Sequence, residues 1–212
     1  MGQAQRFWYA SNMSYSEGSV IEAHYPYLRR LRIYFLASVV LLGIGIVLGV
    51  VTIAYYPGLA QKLENELTGF VKLFRGLPKL HLVGAIFLNN ALKSLIVIVL
   101  GAFFGLLPIV FLVVNGAAIG IAVIVSSHAR GVWQSILVLL PHGVLELPAV
   151  LLATSIGLML GSHLVRRIFG RTATPLGHEL GHALKFFLTV IVPILIVAAV
   201  VEVFITPVLA GI

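Results

Sequence analysis

Five apolar stretches, each about as long as a bilayer's hydrocarbon core is thick, leave this chain few folds to choose from. A helix that crosses a bilayer needs about 20 consecutive, largely apolar residues. Runs of that kind occur at about 33–56, 82–107, 108–126, 136–164 and 186–209. Only 10% of the 212 residues are charged and 60% are hydrophobic, with a mean hydropathy of +1.08. Soluble domains carry roughly 25% charged residues, so this chain has too little polar surface to cover a globule in water. A soluble enzyme is excluded. The absence of cysteine also excludes disulfides, thiolate metal sites, iron–sulfur clusters and cysteine nucleophiles. The expectation is an all-α, polytopic membrane helix bundle of five spans over 33–212, behind a polar N-terminal tail at 1–32.

Charge placement refines this. The formal net charge is +7, but the basic residues sit in short clusters beside the apolar runs and form no single patch. They fit anchoring in a lipid bilayer and argue against a nucleic-acid partner. Arg29, Arg30 and Arg32 stop abruptly at Ile33, and the tail before them is too long for a signal-peptide n-region, so the first span is expected to be retained. Tyr34, Tyr55 and Tyr56 suit its two interfaces. With the N-terminus inside, eight basic residues (Arg6, Arg29, Arg30, Arg32, Arg166, Arg167, Arg171, Lys185) lie inside and five (Lys62, Lys72, Arg75, Lys79, Arg130) outside. That bias predicts a cytoplasmic N-terminus and an outer C-terminus in the cell membrane. Residues 58–79 differ from the spans. Leu63, Leu67, Phe70, Val71 and Phe74 share one helical face and charged residues fill much of the rest, which predicts an interfacial amphipathic helix between the first two spans.

The acidic residues are the exceptions worth locating. There are seven Glu and no Asp, and only Glu146 and Glu202 fall inside spans. A charge at mid-bilayer costs about 2.5–3.5 kcal/mol on insertion scales, so each needs neutralisation, a partner or a hydrated cavity. At about 1.5 Å per residue, Asn89, Lys93, Glu146 and Glu202 fall at similar depth in the outer half, where they can converge. Asn90 and Asn115 join this polar set. Pro141 disfavours helical geometry in the residue before it, which predicts a break near Leu140 and a new helix opening at His142. His142 and Glu146 are then i and i+4 on one face. Three readings stay open: a polar cluster, including a Lys93–Glu ion pair, that pins helix packing; a site for a divalent metal ion, zinc the most plausible, held by His142, Glu146 and Glu202; or a proton relay. Gly101 with Gly105, and Gly116 with Gly120, are expected to let backbones approach closely.

A second motif is His178-Glu179-Leu180-Gly181-His182, a literal H-E-x-x-H. On a helix its two imidazoles share a face and bind zinc, with Glu179 as the general base of a metalloprotease. Against that, it falls in a polar hinge (166–185) where Gly177 and Gly181 weaken helix formation. His163 is the only nearby third ligand.

The chain resembles the stage II sporulation protein M family of integral membrane proteins over roughly 33–212. The resemblance rests on Asn89-Asn90, Asn115-Gly116 with Gly120, the block Pro141-His142-Gly143 followed by Glu146-Leu147-Pro148-Ala149, and Glu202 with Pro207. It implies a five-span membrane protein that, in endospore formers, serves as a membrane platform for peptidoglycan-degrading partners during engulfment. It brings no catalytic set. The expected function is therefore a non-enzymatic, multi-pass membrane scaffold, a homo-oligomer that organises other membrane or envelope proteins. A small ion, proton or solute transporter is the first alternative, and a membrane zinc protease using His178, Glu179 and His182 the second.

Overall fold

A computed structural model of the chain describes residues 20–58, 62 and 78–205, excepting the side chains of 20–26, 128–130, 132 and 136–142. All its regular elements are helical. They are α1 (Val20–Tyr55), α2 (Lys79–Gly101), α3 (Leu106–Arg130), α4 (Val132–Ile168), α5 (Leu176–Phe186), a π-helical turn (Phe187–Ile191) and α6 (Val192–Phe204). Five long apolar helices result: Tyr27–Tyr55, Lys79–Gly101, Leu106–Ser127, Gly143–Ile168 and Leu176–Phe204. The expected multi-pass membrane bundle is present. The chain divides after Arg32, and the second unit begins at Ile33. The surface helix expected over 58–79 lies almost wholly outside the described residues.

Two expectations about chain breaks differ from what is observed. The backbone is helical without interruption from Val132 to Ile168, where a break near Pro141 was expected. A proline removes its own N–H and frees one carbonyl, but in a membrane helix neighbouring helices and local adjustment tolerate that loss. The 166–185 hinge is also shorter than expected. Only 169–175 is non-helical, and α5 already begins at Leu176. Pro175 caps it with extended backbone, and Glu179 occupies the first turn, where a negative side chain complements the helix dipole. Glu179, Ala183 and Phe186 bury one face of α5. That burial outweighs the roughly 1 kcal/mol that each of Gly177 and Gly181 costs a helix. The π turn then leads into α6, whose Pro193 sits in its first turn; such bulges absorb the hydrogen bond that proline cannot make.

Two reciprocal glycine seams lock the helices in pairs. On α1 and α3, an added Cβ at Gly45 would lie 3.0 Å from the Gly116 Cα, one at Gly49 2.8 Å from the Ala117 Cα, and one at Gly120 3.1 Å from the Ile46 carbonyl carbon. On α2 and α4, a Cβ at Gly101 would lie 2.5 Å from the Gly157 Cα, and one at Gly161 2.7 Å from the Gly105 Cα. Each seam is one Gly-x-x-x-Gly facing another, and in each the residue numbers rise together, so α1 runs parallel to α3 and α2 parallel to α4. With no hydrophobic force between helices in lipid, this close backbone approach is what drives their association. Gly101/Gly105 and Gly116/Gly120 were expected as contacts. Their counterparts Gly45/Gly49 and Gly157/Gly161 carry the same four-residue spacing and complete the seams.

The link from α2 to α3 is as tight as expected. Residues 102–105 make the turn, with Gly105 N–H donating to the Gly101 carbonyl at 2.9 Å. Gly105 is left-handed at φ 71°, and so is Phe104 at φ 59°, an uncommon conformation for a bulky residue.

α4 is the central helix. Half of its apolar window is buried inside the protein, more than in any other span. It packs against α2, α3 and α6, and Leu151 joins Leu42 of α1 and Leu112 of α3 in one core cluster. Hydroxyls fasten α1 to it: Tyr34 pairs with Ser162 at 2.8 Å, and Ser38 accepts from Ser155 at 3.1 Å and from Thr154 at 3.4 Å. Tyr34, expected at an interface, is thus turned into the bundle. Ser38, Thr154 and Ser155 are fully buried. Because the chain has no cysteine, this contact can be tested directly. A Ser38→Cys/Ser155→Cys variant is expected to cross-link under mild oxidation while each single variant does not, read as a reduction-sensitive mobility shift.

Candidate functional site

The polar level of the bundle lies on facing sides of α2 and α4. Asn90 is the midpoint of Lys79–Gly101, hence near mid-bilayer, and is 8% exposed. It stands eleven residues before Gly101, and Glu146 stands eleven before Gly157. Eleven residues make about three helical turns. Asn90 therefore shares the α2 face of Gly101, and Glu146 the α4 face of Gly157. Since those two glycines touch and the helices run parallel, Asn90 and Glu146 stand equally far along their helices from that contact and on its face, which defines the Asn90–Glu146 level. Asn89 is exposed and donates its amide N–H to the Asn90 Oδ1 at 3.2 Å. One turn on, Ser94 is 2% exposed and its hydroxyl has no hydrogen-bond partner among the described residues. Its spacing of four from Asn90 is the signal that could have placed it in the set.

Lys93 is on the exposed side of α2, where its long stem can carry the ammonium toward the interface. Asn115 bonds its own helix, donating to the Phe111 carbonyl at 2.7 Å. Glu202 is half-buried two residues before Phe204, and the Phe204 ring lies 5.3 Å from the Lys79 Nζ. Glu202 is thus level with the start of α2, roughly 15 Å along the helix from Asn90. The side chain of His142 lies outside the described residues. Among the described residues there is no cluster of three or more His, Cys, Asp or Glu side chains.

The H-E-x-x-H motif lies on a committed helix, contrary to the expected hinge, and its three side chains divide. His178 and His182 are exposed with ring centroids 4.7 Å apart, whereas Glu179 is 6% exposed. A zinc protease needs its glutamate beside the metal-bound water; here Glu179 packs on the side of α5 that faces the protein. Nor does His163 supply a third ligand. It is buried on α4, with its Nε2 3.0 Å from the Thr174 carbonyl oxygen, which also accepts from Arg167 at 3.1 Å. Those two bonds fasten the 169–175 loop to the end of α4.

A family model for stage II sporulation protein M matches residues 38–207, which takes in α1 from Ser38, the glycine seams, the Asn90–Glu146 level and Glu202. The chain belongs to the stage II sporulation protein M family. No curated protein and no solved structure matches it. The block from Pro141 to Ala149 lies within the matched residues, on the stretch of α4 that carries Glu146.

Proposed function

We propose that this family member is a non-enzymatic membrane scaffold, homo-oligomeric, with its N-terminus in the cytoplasm and its C-terminus outside, that organises other membrane or envelope proteins. The observation that supports this reading best is how tightly the helices are joined. Two glycine seams close the backbones on each other, Tyr34 and Ser162 pair across α1 and α4, and Thr154 and Ser155 reach the Ser38 hydroxyl while also bonding carbonyls of their own helix. Such packing suits a rigid platform better than a moving carrier. In this reading the Asn90–Glu146 level holds α2 in register on α4.

The test is purification from native membranes by mild solubilisation, paired with a flux assay in proteoliposomes. Co-purification of a defined set of envelope proteins, together with no dissipation of an imposed pH gradient, is expected. Gradient dissipation that Glu146→Gln abolishes would instead establish a proton path. Transport is the second reading because Ser94, one turn from the buried Asn90, keeps a buried hydroxyl without a hydrogen-bond partner among the described residues, and polar groups of that kind inside spans mark ion and proton paths. A divalent ion such as zinc would draw on His142 and Glu146 first, one turn apart on α4, with Glu202 farther out. Metal analysis of Glu146→Ala tests that assignment.

A further inference from the structure

One surface of the bundle is explained neither by packing nor by the scaffold reading. On α5, His178 and His182 are both exposed, one turn apart, with ring centroids 4.7 Å apart at an interplanar angle of 67°. Gly177 and Gly181 flank them with the same spacing. Seven of the eight seam glycines, all but Gly105, have backbone within 3.1 Å of where a Cβ would be, whereas Gly177 and Gly181 have nothing within 4 Å. They cost α5 about 1 kcal/mol each and gain no packing in return. What they leave is open space beside the two imidazoles.

We propose that His178 and His182 chelate a divalent transition-metal ion, Zn²⁺ or a metal of similar preference, on the exposed face of α5. Imidazoles at i and i+4 project from one side of a helix with Cβ atoms about 5–6 Å apart. That spacing lets two ring nitrogens reach one zinc at about 2.0–2.1 Å each, and neither ring is held by protein packing against the small rotation required. The helix supplies rigidity. Pro175 fixes its start, His178 N–H bonds the Pro175 carbonyl at 3.1 Å, and the far end continues through the π turn into α6. The open side beside the glycines accommodates water or another donor in the remaining coordination positions. Because Glu179 points into the protein, the ion would have no carboxylate base at its water, so the site binds metal without the hydrolytic chemistry of the full motif. It is also separate from any ion at Glu146, which lies on another helix about 20 residues, or roughly 30 Å, before the inner end of α4.

The experiment is a Zn²⁺ titration of the full-length protein in nanodiscs against a competing colorimetric chelator, purified through a tag that contains no histidine. One saturable Zn²⁺ per chain is expected. Removing a second-shell partner already lowers metal affinity roughly 10- to 100-fold, so His178→Ala and His182→Ala should each weaken binding at least about tenfold. Both positions are exposed, so both variants should melt with the parent. His81→Ala, which removes an exposed histidine of α2, should leave the affinity unchanged. Binding that survives in the His178→Ala/His182→Ala double variant, binding lost on His81→Ala, or no saturable binding in the parent would each overturn the assignment.

Discussion

Gly157→Val is expected to lower the unfolding free energy by about 3 kcal/mol, the upper part of the range for overpacking a close-packed interior. The reason is geometric. A Cβ at this position would come within 2.6 Å of the Val97 carbonyl oxygen and 2.7 Å of the Pro108 Cγ, and the next contact is the Gly101 Cα at 3.5 Å. These neighbours are backbone or a ring, so none can swing aside, and the two branches of valine add to the conflict. Relief requires α2 and α4 to separate, which would also open the Gly105–Gly161 contact on the same seam. Gly84→Ala is the control. That glycine also lies on α2 but has nothing within 4 Å, so its replacement should leave stability unchanged or raise it by up to about 1 kcal/mol. Denaturation in mild detergent, followed by circular dichroism, reads both. Equal stability in the two variants would mean that the seam contributes nothing to the fold.

The membrane architecture was legible because it depends on long averages. Five apolar runs of spanning length survive any small error in boundaries, and residues such as Arg32, Pro57 and Pro108 punctuate them. What could not be read was set by partners across the bundle. Gly45 and Gly157 look like any apolar-run glycine until Gly116 and Gly101 come opposite them. Glu202 was counted along its own span alone, and what sets it near the start of α2 is a contact between spans, Phe204 against the Lys79 Nζ at 5.3 Å. The H-E-x-x-H motif was undervalued as a helix, since the glycine penalty was visible and the compensating burial of Ala183 and Phe186 was not. The directions of its side chains were hidden for a related reason. Spacing places three residues on one stretch of helix, but only tertiary packing decides that Glu179 turns inward while both histidines turn out.

Asn90→Asp is expected to destabilise the protein by about 2.5–3.5 kcal/mol, the cost of placing a charge at the middle of a membrane span. It should also show strong coupling to Glu146. The substitution is nearly isosteric, so packing is preserved and the loss is electrostatic. It converts an amide opposite Glu146 into a second carboxyl, and two carboxylates sharing a site cannot both ionise readily. Glu146→Gln in the same chain removes the like charge and supplies an amide donor to the new aspartate. The double variant should therefore lose less than the sum of the singles by about 1 kcal/mol or more, the scale of coupling between side chains in contact. Unfolding free energies of the parent, both singles and the double close the cycle. Additive effects would mean that the eleven-residue register from the Gly101–Gly157 contact does not bring the two side chains together. The size of the coupling also separates the two leading functions. In a dry packing seam the pair interacts at low effective dielectric, whereas along a hydrated proton path water would weaken the same interaction several-fold. Coupling above about 1 kcal/mol accordingly favours the scaffold.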